Sequence, residues 1–185
     1  MKNIADNFPI TAPEFEQLRI KFGNLVHFAA WQLLKKNAKN NHTDEFDDIE
    51  QNLLFAVIRA GCYTKRQTYI ENCLKAVTAH CKDEFHKQII VELDDLWLAR
   101  TKHGANRQKF GVYQEKILET LVQKFVPEPE RPDRAALLVI DARFAEYCKK
   151  ITWNQQKTMG KVITRERAWR SGLVSLSEFS YLGSN

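Results

Sequence analysis

The chain has 185 residues, a formal net charge of +5 and a pI near 9.0, with 44% hydrophobic and 28% charged residues. That is enough apolar material for one domain or two small ones with real cores, and too much for a disordered chain. Seven glycines and five prolines are too few for the turn density of an all-β protein. The opening MKNIADNFPI lacks the apolar h-region of a secretory signal, and no run approaches the roughly 20 apolar residues of a membrane span, so no membrane partner is expected. Cys62, Cys73, Cys81 and Cys148 show no CxxC spacing and read as reduced thiols of a cytoplasmic protein. Charge is unevenly spread. Residues 44–50 (DEFDDIE) are strongly acidic, whereas residues 149–170 carry seven Lys and Arg against the single acid Glu166. An acidic segment and a basic end point to two different partners.

The predicted elements follow in chain order. Thr11-Ala-Pro-Glu14 is a capping box, in which Glu14 returns to the Thr11 amide. Phe15, Leu18, Phe22, Leu25, Val26, Ala29 and Leu33 then recur every three or four residues, which predicts a helix to about Lys36. KKNAKNNHT is a polar loop. A second helix begins near Thr43 or Asp44, with carboxylates at the positive end of its dipole. Ile49, Leu53, Ala56, Val57 and Ala60 form its buried face, and Gly61 can serve as its C′ residue. A third helix starts near Thr64 or Thr68 and keeps its period through Leu96, as one helix or two over 65–101. KHGANRQKFG is a basic loop, and a helix over 112–125 buries Ile117, Leu118, Leu121, Val122 and Phe125.

PEPERP (127–132) is the clearest break in the chain. Beyond it Leu137, Ile140, Phe144, Tyr147, Cys148 and Ile151 mark another helix, with two shorter ones after Thr152 and Thr164. Ser175-Leu-Ser-Glu178 is a second capping box. The expected architecture is all-α: a multi-helix core over 11–125, a Pro-rich linker over 126–132, and a basic helical module over 133–185.

No phosphate-cradling glycine loop, nucleophile elbow or HExxH motif is present, so no catalytic residue, cofactor or metal is assigned. Cys73, His80, Cys81 and His86 could gather as soft metal ligands, but their spacing fits no standard zinc pattern, and cysteines at apolar helix positions belong to cores. The acids at 44–50 fit a solvated helix start better than a carboxylate pair.

The stretch from Phe46 to Leu74 resembles the second conserved region of bacterial RNA polymerase sigma factors. There an aromatic- and alanine-bearing helix precedes a D-[LI]-x-Q helix, a loop, and an F-x-T-Y-A helix. Here the first helix carries Phe22-Gly-Asn-Leu-Val-His-Phe-Ala-Ala, the second Asp48-Ile49-Glu50-Gln51, and the third Thr68-Tyr69-Ile70. The resemblance implies that Asp48, Gln51 and Asn52 contact the polymerase core. Lys75 would lie near nucleic acid. Asn72 and Cys73 stand where the family often has adjacent tryptophans, and neither offers a π-face for stacking on a melted strand. Thr164-Arg-Glu-Arg167 resembles the start of a recognition helix in a helix-turn-helix, with Gly160 near the turn. On that reading Lys157, Lys161, Thr164, Arg165, Arg167 and Arg170 contact DNA. Trp153 and Trp169 flank the basic run; they could stack on bases, but a small module needs apolar anchors, and the core is the stronger reading.

The expected function is therefore a compact sigma-like initiation factor that binds RNA polymerase and promoter DNA without catalysis. Two alternatives stand beside it. One is a helical nucleic-acid-binding protein unrelated to polymerase. The other is a structural or adaptor protein whose long helix over 65–101 drives homo-oligomerisation.

Overall fold

The computed structural model describes the backbone of residues 7–37, 44–103 and 110–170, and the side chains of 7–35, 46–98 and 110–164. Among the described residues there are five α-helices and no strand. They are α1 (Ala12–Asn37), α2 (Asp44–His80), α3 (Glu84–His103), α4 (Val112–Phe125) and α5 (Ala142–Arg170), with a 3-10 turn at Glu128–Glu130. The all-α expectation holds. The second capping box at 175–178 and most of both polar loops lie outside the described residues.

Two helix boundaries differ from the sequence reading. α2 runs unbroken through Gly61, where a C′ residue was expected, and fuses the second and third predicted helices into 37 residues. Gly61 instead sits at a close approach. A Cβ there would sit 2.8 Å from Ile10 Cδ1 and 3.3 Å from Leu138 Cδ2. The break in the 65–101 stretch falls at Cys81–Asp83, where Asp83 Oδ1 accepts the amides of Phe85 (2.9 Å) and His86 (3.3 Å) and so caps α3. α5 is likewise continuous over 29 residues, where a helix followed by two shorter ones was expected.

The chain divides into two compact units, residues 1–9 with 62–137 and residues 10–61 with 138–185. The first unit packs the later part of α2 with α3 and α4 around Ile70, Cys73, Val77, Leu93, Trp97, Leu118 and Val122. Trp97 meets Phe110 edge-on at 5.3 Å. Arg66 bonds Glu115 Oε2 through Nε (3.0 Å) and Nη2 (2.8 Å), and Nη2 also reaches the Phe110 carbonyl. The proline-rich segment is tied down. Arg131 donates to the carbonyls of Gln123 and Val126, both at 3.0 Å, and so satisfies groups left over at the C-terminal end of α4.

The second unit packs α1, the earlier part of α2 and α5 around Leu18, Phe22, Val26, Ala29, Leu53, Val57, Phe144 and Cys148. The expected return of Glu14 to Thr11 is present, with the Thr11 amide 2.7 Å from Glu14 Oε2. The other oxygen, Oε1, accepts the Leu138 amide at 2.6 Å, across 124 residues of sequence. That contact sets the start of α1 beside the segment that leads into α5. Asp141 then caps α5 through the Phe144 amide at 2.7 Å. Further along, Gln156 Nε2 donates to the Ala29 carbonyl at 2.8 Å, and Gly160 lies beside Leu33 with room for a Cβ. α1 and α5 thus lie side by side with the same chain direction.

Candidate functional site

The second unit carries most of the residues singled out by sequence. Along α2, Ile49, Leu53, Val57 and Ala60 are buried, so the helix turns its opposite face outward. Asp48, Gln51 and Asn52 are all exposed on that face. Phe55, one turn beyond Gln51, is 58% exposed and adds an apolar ring to the same stripe. Asn52 Nδ2 folds back onto the Asp48 carbonyl at 2.8 Å, so that side chain is partly committed to its own helix. Gln51 lines a groove of about 450 Å³ shared with α1, whose wall includes Arg19, Asn24, His27 and Glu50. His27 Nδ1 lies 3.2 Å from Glu50 Oε1 across that groove.

The basic residues sort differently. Lys157, Lys161 and Thr164 are exposed on α5. The backbone of Arg165, Arg167 and Arg170 lies in the same helix, and their side chains and that of Trp169 fall outside the described residues. Thr164 caps nothing. It sits inside α5 and donates its hydroxyl to the Gly160 carbonyl at 2.7 Å, the back-bond a threonine makes mid-helix. The expected helix-turn-helix over 160–167 is therefore replaced by one uninterrupted helix. Lys75 belongs to the other compact unit, where it lines a groove of about 540 Å³ with Glu71, Thr78, Asp94 and Trp97.

Cys73 and Cys81 are buried in the core of the first unit, and Cys62 and Cys148 are buried too. Burial pushes the Cys73 thiol up to about 11 and the Cys148 thiol up to about 12, so both stay protonated and poor nucleophiles at neutral pH. Among the described residues no three His, Cys, Asp or Glu side chains converge as a metal-holding group. No described helix is long and apolar enough to cross a membrane.

One cluster was missed by sequence reasoning. Phe28 and Trp31 on α1 are 47% and 48% exposed and stack at 6.3 Å with 22° between their planes. Trp153 of α5 meets Phe28 edge-on at 6.5 Å, and Lys35 Nζ lies 4.8 Å over the Trp31 ring. The sequence signal was available. Positions 28, 31 and 35 form a stripe displaced from the buried Leu18, Phe22, Val26, Ala29 and Leu33.

No family model, no curated protein and no solved structure matches this chain.

Proposed function

We propose that the protein is a non-catalytic, sigma-like initiation factor that docks on RNA polymerase core through the outer face of α2 and contacts DNA through α5. The observation that carries this reading is the α2 stripe. It places Asp48 and Gln51 around the exposed ring of Phe55, on a helix whose other face is buried. An aromatic anchor ringed by polar groups is the composition of a protein-binding hot spot, and acidic rims favour a basic partner surface. The resemblance of Asp48-Ile49-Glu50-Gln51 to the sigma docking motif points to the same face. The test is retention of polymerase core by the intact chain. Asp48→Ala combined with Gln51→Ala should weaken retention by about tenfold or more while leaving the fold intact, because both side chains are exposed. Wild-type retention by the double variant, or no retention of core by the wild-type chain at low salt, sinks the proposal.

A second reading is favoured by the continuity of α5. An uninterrupted helix with Lys157 and Lys161 exposed suits sequence-independent contact with phosphates, without polymerase. On that reading nucleic-acid binding survives the Asp48/Gln51 change. It falls steeply with salt, and it is lost on charge reversal at Lys157 and Lys161.

A further inference from the structure

We propose that Phe28, Trp31 and Trp153 form a stacking platform for single-stranded nucleic acid, with Lys35, Lys150 and Lys157 holding the strand's phosphates. The inference deepens the nucleic-acid half of the reading above and requires no polymerase contact.

Scattered single hydrophobic side chains on a surface need no explanation, but a contiguous group of large rings does. Here Phe28 and Trp31 are both about half exposed, and neither is needed for the core, which α1 supplies through Leu18, Phe22, Val26, Ala29, Ala30 and Leu33. Trp153 is half-buried, packed against that core and perpendicular to the Phe28 ring. All three rings belong to one compact unit, on two helices that lie side by side. Every base has a π-face, so stacking on half-exposed rings of this kind is independent of sequence.

The occupant is identified by charge. Residues 22–37 and 147–164, the helix segments that carry the rings, contain six lysines and not one Asp or Glu. Lys35 lies over the Trp31 ring. Lys150 and Lys157 are exposed and stand three residues before and four residues after Trp153, so helical spacing puts both on its side of α5. Two carboxylates reach these segments, Glu50 of α2 at His27 and Glu146 of α5 at Lys149, and each is paired there. Three rings beside Lys35, Lys150 and Lys157 fit a flexible polyanion with exposed bases. A duplex presents phosphates but hides the faces of its bases, so the platform discriminates by strand form.

The test uses the full chain with fluorescently labelled oligothymidylate and oligouridylate of about 15 nucleotides, and a duplex of the same length, read by anisotropy at low salt. Both single strands are expected to bind at least about tenfold tighter than the duplex and to quench tryptophan emission. A preference for one over the other identifies DNA or RNA as the strand. Phe28→Ala with Trp31→Ala should lose about tenfold or more in single-strand affinity. Should that variant fail to fold, Trp31→Phe and Trp31→Leu decide, since both keep an apolar side chain but only the first keeps a π-face. Retained binding in Trp31→Phe with loss in Trp31→Leu supports the platform. Equal binding by wild type and Trp31→Leu, or no single-strand binding by wild type, overturns it. So does a dimer that Trp31→Leu converts to monomer, which would make a second copy the occupant. Polymerase retention is measured on the same variants. Ring variants that lose strand binding but keep core show that the two sites are separate. Absence of strand binding with core retained sinks this proposal alone.

Discussion

Glu14 is the strongest single test of how the second compact unit is assembled. Its side chain is only 3% exposed and its two oxygens face different segments. Oε2 accepts the Thr11 amide at 2.7 Å and the Thr11 hydroxyl at 3.0 Å, and Oε1 accepts the Leu138 amide at 2.6 Å. Glu14→Ala removes the helix cap, worth about 1 kcal/mol, and strands a buried amide at Leu138, worth about 1–3 kcal/mol. The expected loss is therefore about 3 kcal/mol. With a urea slope of about 2 kcal/mol per molar, the unfolding midpoint should fall by about 1.5 M. Glu14→Gln is not a neutral control. Both carboxylate oxygens accept from N–H groups, so the amide must turn its own NH2 toward one of those donors, and about half the loss should remain. Urea unfolding gives the energies, and hydrogen exchange at the Leu138 amide gives the location. A midpoint shift below about 0.3 M for Glu14→Ala, or unchanged exchange at Leu138, would refute the reasoning.

The remaining predictions concern the first unit's ion pair and two helix-interior glycines, Gly61 and Gly160. Arg66 and Glu115 have side chains only 12% and 11% exposed, so Arg66→Ala should cost about 3 kcal/mol or more by leaving a buried carboxylate unpaired, while Arg66→Met with Glu115→Leu recovers most of it. A double-mutant cycle on denaturant unfolding checks this, and additive single effects would count against it. Gly160→Ala should stabilise by about 0.5–1 kcal/mol, because a Cβ there meets Leu33 Cδ1 at an ordinary 3.5 Å. Gly61→Ala offers the same propensity gain but forces Ile10 aside from 2.8 Å, so its melting temperature should fall below that of Gly160→Ala; equal values would deny the close approach.

Much of the fold was legible because the apolar period is strong. Leu18, Phe22, Val26 and Leu33, and then Ile49, Leu53, Val57 and Ala60, are the residues that end up buried. The exposure of Asp48 and Gln51 followed from the same arithmetic, since they occupy the opposite face. Helix ends were less legible, because glycine and threonine have two meanings each. Gly61 can close a helix or admit a neighbour, and only the presence of Ile10 and Leu138 beside it decides. Thr164 can cap a helix or back-bond within one, and the choice depended on α5 having α1 to lie against. The proline-rich segment also carries a contact that its composition does not announce. Its local composition signals a linker, but Arg131 reaches back to α4 from within it.

The surface aromatics were harder to read because periodicity locates what is buried, and a binding surface departs from periodicity. Asn72 and Cys73 illustrate the point from the other side. At the place where the sigma resemblance would put stacking rings, Cys73 is fully buried, with its thiol pushed up to about 11 by desolvation. A ring at position 73 would have to enter the core, whereas Asn72 beside it is exposed but carries no ring. The rings that do stand in the open are Phe28 and Trp31, one turn apart on α1 and off its buried stripe, and Trp153 reaches them only because α5 runs beside α1. Position 153 is 122 residues from position 31, and no local pattern relates them. If the chain handles a single strand, the surface for it lies between α1 and α5, and substitutions at Asn72 should leave that activity unchanged.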